Sequence, residues 1–136
     1  MPLLQDHLKS LESLLVKEFR ACQALLNLTR DECEALGQGD VLRLLVLAEH
    51  KEILLDRLNS LENARQLQVA QLVGLDHEQG DDSVTQNLKI LDLDGELQLV
   101  NLFEGIQVLK GQVRELVRGN RALAATALNQ AAALQA

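Results

Sequence analysis

The side chains of this sequence with the chemistry to ligate a metal or attack a substrate are few: His7, His50 and His77, Cys22 and Cys33, and four serines among 20 carboxylates. A di-metal site in a helical bundle needs Glu-x-x-His steps on facing helices, and no such step occurs. Each histidine stands near carboxylates, but no spacing sets two of them on one helical face, as a zinc site requires. A phosphotransfer bundle wants a histidine followed three residues later by lysine and then glycine. His50 is followed at once by Lys51 and at the third place by Ile53. Ser10, Ser13, Ser60 and Ser83 stand in cap or polar-face contexts without a neighbouring histidine, and there is no glycine-rich phosphate loop. Neither a metal, a cofactor nor an enzymatic activity is expected.

Cys22 and Cys33 lie eleven residues apart in one predicted helix, on the same face but roughly 16 Å apart at 1.5 Å per residue. That separation excludes a disulfide between them. Both read as small buried hydrophobes of a reducing compartment.

Without reactive groups to position, the elements must serve binding, and their composition says what they are. Of 136 residues, 32 are Leu, against three Ile, two Phe and no Trp or Tyr. Leu and Ala favour helix, whereas strands want β-branched and aromatic side chains. The lone proline is Pro2, so breaks fall to glycine clusters. From Leu4 the apolar residues Leu8, Leu11, Leu15, Phe19, Cys22, Leu25, Leu26, Thr29, Cys33 and Leu36 recur at steps of three and four, which predicts helix one over about 3–36. Gly37-Gln38-Gly39 supplies a left-handed cap and turn, and Asp40 is placed to cap helix two over 41–73. So short a connection forces an antiparallel hairpin. Helix two carries Leu44, Leu47, Leu54, Leu58, Leu61 and Leu72 on one stripe; Lys51 and Arg65 interrupt it, and their long stems are expected to snorkel out of the seam.

Residues 74–83, rich in Gly, Asp and Glu, read as an acidic loop, and helix restarts there with Ser83 and Gln86 as a capping box or with Asp81 or Asp82 as cap. The C-terminal helical region spans 84–134, with a kink or short break at Asp92-Leu93-Asp94-Gly95. Beyond it Leu99, Leu102, Ile106, Leu109, Val113, Leu116, Asn120, Leu123 and Ala127 keep helical spacing. Gly105, Gly111 and Gly119 each cost this helix about 1 kcal/mol against Ala. A helix of about 40 residues reaches roughly 60 Å, further than its partners can cover, so some of its apolar face should lack an internal partner. The expected fold is all-α: one domain over 1–136, a long antiparallel hairpin plus a kinked C-terminal helix.

Charge narrows the partner. A formal net charge of −7 argues against nucleic acid or an anionic membrane surface. The start, Met1 to Leu8, has neither the basic nor the apolar region of a leader, and no stretch of about 18 apolar residues follows, so a cytoplasmic protein is expected. Asp76 to Glu96 holds seven acids and one base, whereas Lys110, Arg114, Arg118 and Arg121 draw one basic stripe along the C-terminal helix. This stripe is either a solvated face or a rail for acidic residues of a bound helix. After Arg121 no charge occurs for fifteen residues, and Ala dominates. Such a segment offers little area to bury alone; it is either a fraying helix end or the seat of a partner.

With these elements in place the chain resembles, over essentially its whole length, the FlgN-like family of flagellar type III export chaperones. The resemblance rests on the leucine- and glutamate-rich hairpin with its Gly-Asp junction, on Lys51, Leu54, Leu55, Leu58, Glu62 and Arg65 in the Lys-x-x-Leu-Leu-x-x-Leu and Glu-x-x-Arg pattern, and on Phe103 and Asn120 in the third region. Gly119 precedes Asn120 where the family has an Asn-Gly pair, and Ala replaces most of the apolar residues that follow. The resemblance implies a cytoplasmic chaperone that holds the C-terminal helices of hook-filament junction proteins, keeps them from premature assembly and passes them to components of the export apparatus. A client helix would lie on the third helix, with Val113, Leu116, Val117, Asn120, Leu123 and Leu128 as contacts and Arg114, Arg118 and Arg121 as orienting charges. Two other readings stand beside it: a self-assembling structural coiled coil and a helical adaptor outside the flagellum. An empty chaperone would also self-associate through an unpaired apolar face.

Overall fold

The computed structural model describes residues 2–74, 81–92, 95 and 97–135. Among them are four helices and no strand: α1 (Pro2–Gln38), α2 (Val41–Val73), α3 (Asp81–Leu91) and α4 (Leu99–Gln135). The all-α expectation therefore holds.

α1 and α2 are joined as their junction sequence dictates. Gly39 adopts the left-handed conformation (φ +67°), the Asp40 amide donates to the Ala35 carbonyl at 3.0 Å, and the Gly39 amide donates to that of Leu36 at 3.2 Å. These two bonds satisfy the last carbonyls of α1 in a Schellman motif, which requires a residue without a Cβ penalty at Gly39. Asp40 then caps α2, its carboxylate accepting the Arg43 amide at 3.1 Å. Gly37, expected to help end α1, stays helical. The stretch 75–80 of the expected acidic loop lies outside the described residues. Helix resumes at Asp81, so Ser83 is the third residue of α3 rather than its cap.

The break expected near Asp92 separates α3 from α4, and Asp92 organises it. Its two carboxylate oxygens accept the backbone amides of Leu97 (3.1 Å) and Leu99 (3.0 Å), so one side chain supplies partners for donors that the start of α4 leaves orphaned.

α1 is the centre of the molecule: α2 packs along one side of it and α4 along another, while α3 bridges α2 and α4. α2 runs antiparallel to α1, with Glu18 opposite Arg65 and Glu32 opposite Lys51. α4 runs parallel to α1, with Gly105 beside Phe19 and Asn120 beside Thr29. Two-sided packing explains why adjacent pairs on α1, Ala21-Cys22 and Leu25-Leu26, are both buried. The core combines these with Leu11 and Leu15, with Leu58 and Val69 of α2, Leu88 of α3, and Leu99, Phe103, Ile106 and Val113 of α4.

Of the α4 glycines, Gly105 has a structural reason. A Cβ there would lie 2.7 Å from Cε2 of Phe19, so the missing side chain is what lets the ring seat against α4. Gly119 is exposed and has nothing within 4 Å of such a Cβ. Gly119→Ala is accordingly expected to raise the unfolding free energy by about 1 kcal/mol through helix propensity. Gly105→Ala should forfeit that gain to displacement of Phe19, at about 1–3 kcal/mol for overpacking. Urea denaturation of both variants checks this, and equal stabilisation by the two would contradict the packing role of Gly105.

Candidate functional site

What places α4 on the hairpin is a cluster of charge buried at the meeting of three helices. Glu18 of α1 is fully buried, and one of its oxygens accepts from Nε of the buried Arg65 of α2 at 2.8 Å. Its other oxygen lies 3.9 Å from Nζ of Lys110, on α4, and the same ammonium donates to Glu62 of α2. The Arg65 guanidinium also lies over the Phe103 ring of α4, 5.1 Å from its centroid, a cation–π contact that ties α2 to α4. Arg65 thus turns inward, contrary to the expected snorkelling, because a buried carboxylate opposite it supplies the partner that solvent would otherwise provide. Lys51 stays at the rim, half-buried, 3.5 Å from Glu32.

Cys22 sits beside this cluster, and burial, with Glu18 and Glu62 nearby, pushes its thiol up to about 11 from 9.0 despite the opposing pull of Lys110. Both cysteines are free thiols.

Further along α4 the expected contact residues divide. Val113 and Asn120 face α1 and are buried; Leu116 and Val117 are half-buried against the core; Leu123 and Leu128 are exposed. Asn120 Nδ2 donates to the Thr29 carbonyl at 3.1 Å and to Glu32 at 3.0 Å, so this amide is spent on fastening α4 to α1. Arg114 and Arg121 are exposed, and Arg118, also exposed, pairs with Glu115 at 3.5 Å on its own helix. Lys110, the first member of the basic stripe, belongs to the buried cluster instead of the surface.

The row of α4 that meets α1 does not stop where the hairpin does. Asn120 stands level with Thr29 and Glu32, so the tip at Gly39 is reached about two turns later. From Ala125 to Leu134 every residue is exposed, Leu128 by 71% and Leu134 by 89%. Ala124, Ala127, Leu128 and Ala131 continue at steps of three and four the row that begins with Val113, Val117 and Asn120. This overhang is a helix face shaped for packing with no helix of the hairpin beneath it.

A second apolar surface escaped the sequence reading. Val41, Leu42, Leu45, Val46 and Ile53 of α2 are all more than half exposed, Leu42 by 77%. The signal was present: Val41 to Ala48 is apolar on every side of the helix except at Arg43, a pattern that marks burial on more than one face. The single stripe through Leu44 and Leu47 accounts for only one of these faces.

No group of three or more His, Cys, Asp or Glu able to hold a metal occurs among the described residues, and none of their helices is long and apolar enough to cross a membrane. The family model described as FlgN protein matches residues 1–136, the whole chain. The chain belongs to the FlgN family. No curated protein and no solved structure matches it. FlgN proteins are flagellar export chaperones that bind flagellar substrate proteins. In this FlgN-family chain the two family-like residues of the third region, Phe103 and Asn120, are both buried, one under Arg65 and the other on Thr29. They hold α4 in place.

Two outcomes follow. Arg65→Met leaves Glu18 buried without its principal partner and should cost about 3–5 kcal/mol in urea denaturation, most of it recovered in Glu18→Leu/Arg65→Met; equal loss in the double variant would mean the pair itself is stabilising. For Cys22, the folded thiol holds its proton to higher pH than the unfolded one, so above pH 9 unfolding releases a proton. Stability should therefore be unaffected below pH 9 and fall by about 1 kcal/mol per pH unit between 9 and 11. Denaturation of wild type and Cys22→Ala across that window isolates the contribution, which the variant should lack.

Proposed function

We propose that this protein is a non-enzymatic, cytoplasmic chaperone that binds the C-terminal helical region of flagellar hook-filament junction proteins, prevents their premature assembly and delivers them to the type III export apparatus. The observation that carries the proposal is the overhang of α4. Its uncharged face, with Leu123, Leu128 and Leu134 exposed, continues the row by which α4 packs on α1 beyond the end of the hairpin.

The physical logic is that of a helix offered to a helix. Proteins that polymerise through terminal helices must keep those helices from pairing with their own kind until delivery. A long apolar face of matching period shields one without covalent chemistry. Ala along the overhang lets a partner backbone approach closely, and Leu128 and Leu134 supply the buried area. The exposed Arg114 and Arg121 border this face and would orient an acidic flank of the client, contributing more to register and association rate than to affinity.

The test is a calorimetric titration of the full chain with a peptide spanning the C-terminal helices of a junction protein from the same organism, with helix content followed by circular dichroism. One-to-one binding with a gain in helix is expected. Truncation after Gly119 should weaken it at least a hundredfold, and Leu128→Ala about tenfold, the worth of one buried Leu. Undiminished affinity after truncation would remove the overhang from the site. Absence of binding, with a stable homodimer in its place, would overturn the chaperone reading in favour of a self-assembling coiled coil.

A further inference from the structure

α2 and α4 both lie on α1 yet scarcely touch one another. Among the described residues they meet through the Glu62–Lys110 pair and through Arg65 over Phe103. From that level to the hairpin tip the two helices are the walls of a groove with α1 as its floor.

The walls can be read from the Glu62–Lys110 contact, because residues three, four or seven apart share a helix row. On α2 the row of Glu62 continues through Leu55, Ala48, Leu44 and Val41. On α4 the row of Lys110 continues through Arg114, Val117, Arg121, Ala124 and Leu128. Near the tip the rows bound a notch of about 260 Å³ in which Leu44 of α2, Val117 and Ala124 of α4 and Leu36 of α1 come together with Lys51 of α2, which is paired with Glu32 of α1 at 3.5 Å. Val41, Ala48 and Leu55 on the α2 wall are exposed, as is Leu128 on the other.

Because Lys51 is offset by its pair with Glu32, the net charge of the rims lies in the exposed outer rows, and there it is of opposite sign. The exposed Arg114 and Arg121 lie along the α4 wall, whereas the next row outward on α2 carries the exposed Glu49, Glu52 and Asp56. Asn120 lines the notch as well. It is 4% exposed, and although its amide donates twice to α1, its oxygen Oδ1 has no hydrogen-bond partner among the described residues. An unpaired buried acceptor costs about 1–3 kcal/mol unless something donates to it.

We propose that this groove seats one amphipathic helix of the client, so that α2 is a wall of the binding site and the bound state is a bundle in which the client helix lies between α2 and α4. This rests on the chaperone reading above and adds the occupant's chemistry. Its apolar face lies on Leu44, Val117 and Ala124, its acidic flank meets Arg114 and Arg121, and its basic flank meets Glu52. The charge pattern of the rims admits one lateral orientation of the occupant, because reversing its flanks sets like charges against each other at both walls.

The same peptide titration, applied to three variants of the full chain whose folding is checked by thermal denaturation, decides the matter. Ala48→Arg sets a bulky cation on the α2 wall, and affinity should fall at least tenfold. Glu52→Lys reverses the rim and should weaken binding three- to tenfold at low salt, with the difference shrinking as salt rises. Ile53→Arg alters the exposed face of α2 turned away from the groove and should change affinity less than twofold. Unchanged affinity in Ala48→Arg and Glu52→Lys, in a chain whose binding is lost on truncation after Gly119, would overturn the groove and leave the chaperone reading intact. A larger loss from Ile53→Arg than from Ala48→Arg would also overturn it, moving the site to the outer face of α2. If the unaltered chain does not bind the peptide, both proposals fall together.

Discussion

A carboxylate with no access to water governs the architecture. Glu18 is fully buried in the middle of α1, and the two cations that reach it come from different helices, Arg65 of α2 and Lys110 of α4. Leucine-rich faces slide over one another at little cost in energy, since many registers bury similar area. A buried ion pair does not, because each wrong register leaves a charge desolvated and alone. Glu18 therefore sets where α2 and α4 sit along α1, and Phe103 beneath Arg65 and Asn120 on Thr29 repeat the constraint at two further levels of α4.

From that register the surface proposed for client binding follows. With α4 parallel to α1 and held at Lys110 and Asn120, its last turns pass the hairpin tip, and a row of apolar residues that elsewhere packs on α1 emerges without cover. The same register sets α2 and α4 far more against α1 than against each other. A chaperone for helical segments needs a face that is stable in water yet unsatisfied. An alanine-rich overhang meets that need, because it exposes helical pattern while offering little contiguous area for indiscriminate association.

The length and ends of the hairpin were legible in local chemistry. Leu at steps of three and four announced α1 and α2, Gly39 and Asp40 announced the turn, and the Asp-Leu-Asp-Gly break announced the division between α3 and α4. Such signals concern residues close in sequence, whose geometry the backbone decides. The exposed half of α2 was equally present in the run from Val41 to Ala48, but a stripe reading asks only which face is apolar, and here every face but that of Arg43 is.

By itself, then, the sequence determined that this is a helical, acidic, proline-poor chain with a FlgN-type hairpin, and that its C-terminal helix outruns its partners. Only the tertiary structure decided which polar residues turn inward. Arg65 was expected at the surface but turns inward, and the Asn120 amide nitrogen fastens α4 to α1, because their partners, Glu18 and the Thr29 carbonyl, lie 47 and 91 residues away. The destination of a long polar side chain depends on whether a complementary group waits across the interface. That is a property of the assembled register, which no local pattern of residues contains.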